Sequence, residues 1–490
     1  MNNPGFTAPA PRLASCTYSA PVPGGNGLAD LLSTGSECAW IRFGEGMVGL
    51  GTAARFTTTG PGRFEAARHW WMAATAAESG DTSRTTVPDD GLPRRSPLAF
   101  AAFAFADDSP ADSVLVVPEF VVGSAQGRSW LTWQVDLDSP CHAEKAAARF
   151  SPTNAEQFRG RPDRADAERR LAELLAEAAG RRPDRAGAAA GAGAGSGAGS
   201  GADGLVLTDG VLSQDGYRAA VARGVRQIEA GTLTKVVLAR DAVVRSADPV
   251  DVPQVLRTLA VQYRDCWTYA VNGLIGSTPE MLVKVDGDIA RARVLAGTLD
   301  RDGAPVGTAG TDYARQLLTD DPKQRHEHRL AVDSLTERLE PFTSSLEAPD
   351  EPFVLELPNV WHLATDVTAR LVGAEDARRT GPGALALTEA LHPTAAVCGT
   401  PREAAASLIN RLESEDHGLD RGLFAGPVGW LDGNGNGEFG IALRGAVVQD
   451  EHTVRLYAGC GVVAASDPES ELAETHAKMR PMLQALGLRA

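Results

Sequence analysis

Basic residues are scarce in this sequence of 490 residues, which has 47 lysines and arginines against 63 aspartates and glutamates and a net charge of -16. This balance argues against nucleic acid as a partner, because phosphate backbones bind clustered positive charge. Paired cysteines are also missing. The six cysteines are scattered with no C-x-x-C spacing, so neither a zinc site nor a disulfide framework is indicated.

Long apolar runs are absent as well. No stretch reaches the roughly 20 apolar residues of a membrane-spanning helix, and the N-terminus lacks a basic start followed by an apolar segment. We therefore expect a soluble protein of the reducing cytoplasm, with no membrane partner. An acidic protein of this kind can bind an anion only where it concentrates lysine, arginine or a metal ion.

A tract rich in glycine, alanine and serine divides the chain. Residues 1–185 read mostly as short strands between glycine, proline and aspartate turns, which predicts a scaffold. Residues 186–204 have nothing to bury and predict a linker or a surface loop; a phosphate loop is not indicated, because no Lys-Ser/Thr follows. Residues 205–490 contain the chemically suggestive motifs and are expected to form the catalytic region.

The last predicted helix carries a charged stripe beside its apolar one. Glu471, Glu474 and Lys478 stand at i, i+3 and i+7 and therefore share a face. An exposed, salt-bridged helix would show the same face. The preceding strand-like segment favours a site, because Gly459 and Gly461 let another group approach the backbone. Carboxylates there suit a hard divalent cation, and the lysine suits a carboxylate substrate.

Two residues at predicted strand ends could serve as a base and an acid. Lys235 opens an apolar strand that runs to Val244, and it is either a solvated strand end or a lysine whose charged form is disfavoured, as an amine base requires. Glu280 follows a turn and precedes Met281 and Leu282. It is either an ordinary hairpin-end glutamate or a carboxyl whose pKa apolar contact raises, as a general acid requires.

A helix of about five turns is predicted to begin near Pro322, and it contains Glu327 between two histidines. The H-E-H order is not the metalloprotease motif, in which the histidines stand four residues apart, so zinc is not indicated. Glu327 together with glutamates of the last helix would form an oxygen-rich site typical of magnesium. The apolar stripe of this helix is predicted to contain Leu330, Leu335 and Leu339.

Three further positions could contact an anion. Gly297 and Thr298 offer a backbone N–H and a hydroxyl, although a routine turn would look the same. Arg444 closes an otherwise apolar strand, where a guanidinium needs an anionic partner.

The segment that begins at Asp432 imitates a calcium loop, but Leu443 occupies the position of the bidentate glutamate, so a hairpin turn is predicted.

Ten short motifs together resemble the chorismate-utilising enzymes and occur in the family's order. Between about Tyr217 and Leu488 they are TKVVLAR, IGSTPEMLV, LAGT, KQRHEH, WHLAT, LHPTAAVCGTPREAA, DRGLFAGPVGW, IALR, AGCGVV and ELAETHAK. The resemblance implies an α+β fold, a large sandwich of two antiparallel sheets with outer helices, as in anthranilate synthase component I. It also implies that the N-terminal half supplies part of this sandwich.

The resemblance assigns a role to each candidate residue. Lys235 would be the general base for water that attacks C2 of chorismate, and Glu280 the acid that protonates the departing C4 hydroxyl. Magnesium would be held by Glu327 and Glu474, with Glu471 in close support. The substrate would be held by Gly297, Thr298 and Lys478 at the ring carboxylate, by Arg444 and Gly459 at the pyruvyl carboxylate, and by His362 near the leaving side.

Within the family, the chain most resembles the isochorismate synthases that feed menaquinone or catechol siderophore synthesis, and we expect a magnesium-dependent monomer. Ammonia-using members typically have Gln at the position of Lys235 or Lys at the position of Ala296. This chain has neither, so no glutamine amidotransferase subunit is expected. A salicylate synthase, which eliminates pyruvate from isochorismate, is the nearest alternative; Phe424 stands where salicylate-forming members place Tyr. A catalytically silent chorismate-binding protein is another alternative. Leu299 and Asp300 replace the usual Arg-Pro and leave specificity open.

Overall fold

Two large antiparallel sheets form the centre of the molecule. The computed structural model of the chain describes residues 10–19, 27–32, 36–79, 97–138, 164–180, 204–300, 315–356, 360–373 and 382–488. Every strand pairing within these ranges is antiparallel, and helices cover the sheets, so the expected α+β sandwich is confirmed. Except for Gly204, the predicted linker lies outside the described residues.

The first sheet has twelve described strands, which come from both halves of the chain. In spatial order they are β1 (Leu13–Ser19), β8 (Arg128–Asp136), β7 (Phe120–Ala125), β3 (Glu45–Leu50), β2 (Cys38–Arg42), β11 (Trp267–Val271), β12 (Leu274–Thr278), β21 (Gly445–Asp450), β22 (Thr453–Val462), β10 (Lys235–Ser246) and β18 (Gly399–Thr400). The strand β9 (Leu205–Asp209) pairs with β10 outside this order.

The second sheet has ten described strands, again from both halves. In spatial order they are β15 (Thr343–Glu347), β17 (Val360–Leu371), β14 (Ile289–Asp300), β13 (Met281–Asp286), β20 (Gly437–Ile441), β19 (Pro427–Asp432), β5 (Leu98–Ala102), β6 (Ser113–Val117) and β4 (Ala54–Thr58), and β16 (Phe353–Glu356) pairs with β17. The β19–β20 hairpin confirms the turn predicted at Asp432, whose carboxylate accepts the Asn434 and Asn436 N–H groups.

Helices flank the sheets. The described α-helices are α1 (Arg63–Ser79), α2 (Arg164–Gly180), α3 (Gln214–Glu229), α4 (Val252–Gln262), α5 (Pro322–Leu339), α6 (Ala384–Leu391), α7 (Arg402–Ile409) and α8 (Pro468–Ala485), with short 3-10 turns at Leu28–Leu31 and Glu340–Phe342 and π-helical turns at Arg315–Thr319 and Asn410–Glu415. In the part of the chain that the structure describes, no helix combines the length and apolar character that a membrane crossing requires.

The core lies between the sheets and beneath the helices, which explains why β5 is buried at all five positions. Side chains alternate along a strand, so the two faces of β5 belong to different parts of the core. Phe100 packs in the cluster that contains Trp40 and Trp267 of the first sheet, whereas Ala99 packs in the cluster that contains Phe64 of α1.

Local signals define both helices that carry predicted metal ligands. Helix α5 begins at Pro322, as predicted. Helix α8 begins after Asp467, whose side chain accepts the Ser470 N–H at 2.9 Å and caps the helix. One detail of the sequence interpretation is wrong: Leu330 is exposed, and the face of α5 that packs inward carries Ala331, Val332, Leu335 and Leu339.

Candidate active site

A solvent-open cleft of about 680 Å³ brings together several of the predicted site residues. Among the residues that line it are Glu280, His362, Phe424, Arg444, Tyr457, Gly459 and Lys478. The Phe424 and Tyr457 rings stack with their centroids 5.2 Å apart. The cleft therefore combines an aromatic wall with an acid, an imidazole and two cationic side chains.

Lys235 does not line this cleft in the described structure, but its charge acts on Glu280 and a neighbouring glycine leaves space for its side chain. Strand β10 pairs with β22, and the Lys235 side chain lies against the backbone of Gly461 on that partner. A Cβ atom at position 461 would lie 2.7 Å from Cε of Lys235 and 3.3 Å from its Nζ. The prediction that the glycines of this strand admit another group thus has a specific structural basis at Gly461.

Glu280 lies at the turn between β12 and β13 and is only 6% exposed. Its N–H donates to Thr278 Oγ1 at 3.2 Å, and its carbonyl accepts the Ile441 N–H at 3.1 Å, so the turn is fixed from both sides. Burial raises the pKa of its carboxyl to about 8, although the charges of Lys235, Lys478 and Arg444 oppose the shift. The carboxyl is therefore mostly protonated at neutral pH, the direction predicted from sequence.

Lys478 links the last helix to strand β22. Its Nζ donates to Glu474 Oε1 at 2.7 Å and to the Gly459 carbonyl at 2.9 Å. Burial alone would lower the pKa of Lys478, but Cys460 and Glu474 outweigh it and raise the value. Burial likewise would raise the pKa of Glu474, but Lys478 and Arg444 lower it. Both groups are therefore charged. Glu474 and Lys478 share a face of α8, as the spacing predicted.

The residues around Glu474 test whether a metal ion would fit. One ligand atom each of Cys460, Glu471 and Glu474 lies within 4.8 Å of the others. Burial raises the pKa of the Cys460 thiol, which donates to the Glu471 carbonyl at 3.4 Å and is therefore not a metal-binding thiolate. Two carboxylates remain, and oxygen donors of this kind fit a hard cation such as Mg²⁺.

His362 and Gly297 meet at a bulge in the second sheet. The β14–β17 register shifts between Leu295 and Thr298, and Gly297 there has a φ of +86°, which favours glycine. Burial and the charges of Arg444 and Lys478 lower the pKa of His362 to about 3, although a hydrogen bond with the Gly297 backbone acts to raise it. The imidazole is therefore neutral at physiological pH.

Arg444 follows β20 with a φ of +51°, a left-handed conformation that strains a non-glycine residue by roughly 1 to 3 kcal/mol. Burial lowers the pKa of its guanidinium, which nevertheless stays charged. Among the described residues, no carboxylate forms an ion pair with it. The anionic partner that its position requires can therefore be a ligand in the cleft.

Two predicted side chains, those of Glu327 and Thr298, lie outside the described residues, although the backbones of both belong to described elements. The neighbouring His328 shows how α5 docks beside Gly297. Its ring nitrogens lie 3.2 Å from the Ala296 carbonyl and 2.8 Å from Thr365 Oγ1, which ties the helix to β14 and β17.

Sequence reasoning missed a buried ion pair at the wall of the cleft. Arg421 donates to both carboxylate oxygens of Glu413, at 2.7 and 2.8 Å, and to the carbonyls of Val237 and Val397. Glu413 also accepts the Ala239 N–H at 2.7 Å, so the pair fixes β10 just beyond Lys235. A signal existed: Arg421 stands within the quoted motif DRGLFAGPVGW, where apolar neighbours imply burial.

The fold and the cleft together define an enzyme-like site for a small anion, with a protonated acid, a lysine and a carboxylate pair suited to a metal. The sequence profile of the family described as Chorismate binding enzyme matches residues 202–487. The chain belongs to this family.

Named relatives are similar to this chain. Isochorismate synthase DhbC of Bacillus subtilis is 38% identical over 285 residues, which cover 56% of this chain and 68% of the relative. The salicylate biosynthesis isochorismate synthase of Pseudomonas aeruginosa is 40% identical over 274 residues, or 55% of this chain. The match spans only 54% of that relative's length. The crystal structure of DhbC from Bacillus anthracis is 28% identical, with a TM-score of 0.66 and coverage of 94% of this chain and 100% of that one.

Proposed function

We propose that the chain is an isochorismate synthase, an isomerase that adds water at C2 of chorismate and releases the C4 hydroxyl. The observation that carries the proposal is Glu280, a buried carboxyl with a pKa of about 8 that faces Lys235, Lys478 and Arg444. The names of the Bacillus subtilis and Pseudomonas aeruginosa relatives support it. The product supplies menaquinone or catechol siderophore synthesis.

The charges of the cleft match a substrate with two carboxylates. Arg444 and the Gly459 backbone hold the pyruvyl carboxylate, since the Arg444 guanidinium lines the cleft without a carboxylate partner in the described part of the chain. Lys478, with Gly297 and Thr298, holds the ring carboxylate. The neutral His362 lies near the leaving side and adds no charge of its own.

Lys235 and Glu280 divide the proton transfers between them. Lys235 accepts a proton from the water that forms the new C2–O bond, and Glu280 donates its proton to the C4 hydroxyl, which departs as water when the C4–O bond breaks. One water enters and one leaves, so the atoms balance. At the end of the step, Lys235 carries an added proton and Glu280 is a carboxylate, and both must be reset.

Magnesium is the ion that the donor set suits best. Glu471 and Glu474 of α8 would hold it, together with Glu327 of α5. When bound, the ion supplies positive charge that neutralises the ring carboxylate. Lys478 orients Glu474 through its 2.7 Å contact and keeps that carboxylate ionised for the metal.

We propose the organisation of the protein from the same residues. The protein is a cytoplasmic monomer that requires no glutamine amidotransferase subunit, because Lys235 and Ala296 stand where ammonia-using members differ. Residues 205–490 are the catalytic region, and residues 1–185 are the scaffold that completes both sheets. The scaffold role is supported by the pairing of β2 with β11 and of β5 with β19.

Chromatography of a reaction with chorismate and Mg²⁺ tests the function directly. The expected product is isochorismate. Pyruvate release, detected with lactate dehydrogenase, would instead identify a salicylate synthase, and formation of anthranilate with ammonia would overturn the water-using assignment. Chorismate binding without turnover would identify a silent binding protein.

Metal removal should abolish activity, and Mg²⁺ should restore it. Replacing Glu474 with Gln should lower kcat roughly 100-fold or more, because the variant loses a carboxylate ligand of the ion. The positive charge of the ion stabilises the transition state by several kcal/mol. The same replacement at Glu469, an exposed residue of the same helix that pairs with Arg218, is the matched control. Isothermal titration with Mg²⁺ should show weaker binding only for E474Q, and unchanged turnover without metal would contradict the magnesium proposal.

Replacing Gly461 with Ala should reduce kcat at least about tenfold, because the new methyl group displaces the Lys235 amine from its position. The new Cβ would lie 2.7 Å from Cε of Lys235. Gly224→Ala is the control: its Cβ would meet side chains at ordinary distances of 3.4 to 3.6 Å on the outer face of the same sheet. If both variants kept wild-type kcat, the position of the lysine would not depend on Gly461.

Activity should decline as the pH rises through about 8, because Glu280 must be protonated to act as an acid. Above this value, loss of the Glu280 proton should contribute a falling limb of about tenfold per pH unit to kcat/KM, and Glu280→Gln should lack this limb because its side chain does not titrate. The groups that face the carboxyl are Lys235, Lys478 and Arg444, and all favour its ionised form. A falling limb that persists unchanged in Glu280→Gln would contradict the assignment of Glu280 as the acid.

A further inference from the structure

A second cavity adjoins Glu280. It is an open pocket of about 390 Å³, solvent at its mouth included, with room inside for only about one water molecule, and it shares Glu280 and Ala396 with the substrate cleft. Its other walls are α5, the segment after α6 and the start of β13. Among the described residues that line the two cavities, Glu280 is the one carboxylic acid, and this residue stands at the boundary between them.

The walls of the second cavity are suited to water. The Thr394 Oγ1 atom is buried and has no hydrogen-bond partner among the described residues, and Ser334 adds a second hydroxyl. Buried polar atoms of this kind are normally satisfied by ordered water. Thr394, Ser334 and Arg338 are each only half-buried as whole residues, so the cavity reaches the protein surface.

The two arginines of this cavity already have protein partners. Arg293 binds both carboxylate oxygens of Asp366, at 2.6 and 2.8 Å. Arg338 donates to the carbonyls of Leu391 and Pro393, at 3.5 and 3.3 Å, which braces the segment that carries Thr394. The cavity is therefore better suited to water than to an anionic ligand.

Glu280 needs such a route if the proposed function holds. The acid loses its proton in every turnover and is only 6% exposed, and a substrate that fills the cleft would stand between it and the solvent there. The C4 hydroxyl also departs as water on the Glu280 side. Both the returning proton and the departing water therefore need a path that the substrate does not block.

We propose that the second cavity is a solvent port for Glu280, through which water returns the proton that the carboxylate lost and the water released at C4 leaves. The inference rests on the proposed function. The balance is simple: solvent water donates one proton to Glu280, Lys235 returns one proton to solvent, and no co-reactant is consumed. Ser334 and Thr394 are positioning residues that hold this water.

Two variants test the port. Ser334→Leu fills it with an apolar side chain, and Thr394→Val removes one hydroxyl while preserving shape. For S334L we expect kcat to fall at least about tenfold with an unchanged KM for chorismate, and the solvent deuterium isotope effect on kcat to rise, because proton return becomes rate-limiting. T394V should change kcat and the solvent isotope effect in the same directions, but by a smaller amount.

Matched controls separate this effect from general damage. Ser407→Leu makes the same change on the exposed face of α7, and Thr388→Val removes a buried hydroxyl of α6 that does not line the cavity. Thermal unfolding identifies a misfolded S334L, in which case T394V decides. Wild-type kcat and isotope effect in the folded variants would overturn the port alone, whereas a wild-type enzyme without isochorismate formation would overturn the proposed function.

Discussion

Replacing Glu280 with Gln should lower kcat for isochorismate formation by roughly 100- to 10,000-fold, the range typical of a lost general acid. Glutamine preserves the size of the side chain and keeps a hydrogen-bond donor, but it cannot transfer a proton to the C4 oxygen. The KM for chorismate should change little, because Arg444 and Lys478 still bind its carboxylates. A coupled or chromatographic assay measures both constants.

The same variant should be more stable than the wild type at neutral pH. Burial raises the pKa of Glu280 to about 8 in the folded state from 4.5, so the unfolded carboxyl binds fewer protons between these values. The stability that the protonated Glu280 carboxyl contributes is therefore fully present below about pH 4.5 and is lost as the pH rises through about 8. Gln carries no such penalty, and the gain should be roughly 3 kcal/mol at pH 7.

Thermal unfolding of E280Q and the wild type at several pH values measures this gain. The difference in melting temperature should be small near pH 4.5 and should grow toward pH 8, with Glu469→Gln as the control that shows no trend. Equal stability of E280Q and the wild type across this range would mean that the acid is not held in a desolvated position. Retained turnover in E280Q would assign the acid to another residue.

Replacing Lys235 with Gln should also lower kcat by roughly 100- to 10,000-fold, because the amine is the proposed base and the His362 imidazole of the cleft, with a pKa of about 3, is a weak one. Binding of chorismate and Mg²⁺ should remain nearly intact, as titration calorimetry can show. Lys284→Gln removes the same charge on β13, where Lys284 pairs with Glu438 outside the cleft, and should leave kcat unchanged. Normal isochorismate formation by K235Q would make the mechanism wrong.

Elements with local signals were predictable from sequence, and their pairing was not. Proline at its first position identified the start of α5, and the charged stripe of α8 followed from helical spacing alone. Sheet order depends on contacts between distant segments, such as β2 with β11, and no local pattern specifies these partners. Leu330 was misplaced for the same reason, since the packing of α5 on β14 decides which side of the helix is buried.

The candidate site shows the same division. The direction of the Glu280 pKa shift could be predicted, because the apolar neighbours that bury this carboxyl are adjacent in sequence. The contact of Lys235 with Gly461 could not, because it exists only once β10 has paired with β22. The Glu413–Arg421 pair was missed because its other partners, Val237 and Val397, come from separate parts of the chain.

The interleaving of the two halves in both sheets has a consequence for biosynthesis. Leu98 of β5 pairs with Asp432 of β19, so a chain that emerges from the ribosome N-terminus first cannot close the second sheet until nearly all of it has been translated. At ordinary elongation rates, this interval lasts on the order of tens of seconds. During that time the backbone groups of β2 and β5 that later bond to β11 and β19 lack these partners, so the N-terminal half is the part of the chain in which unpaired strand edges favour aggregation.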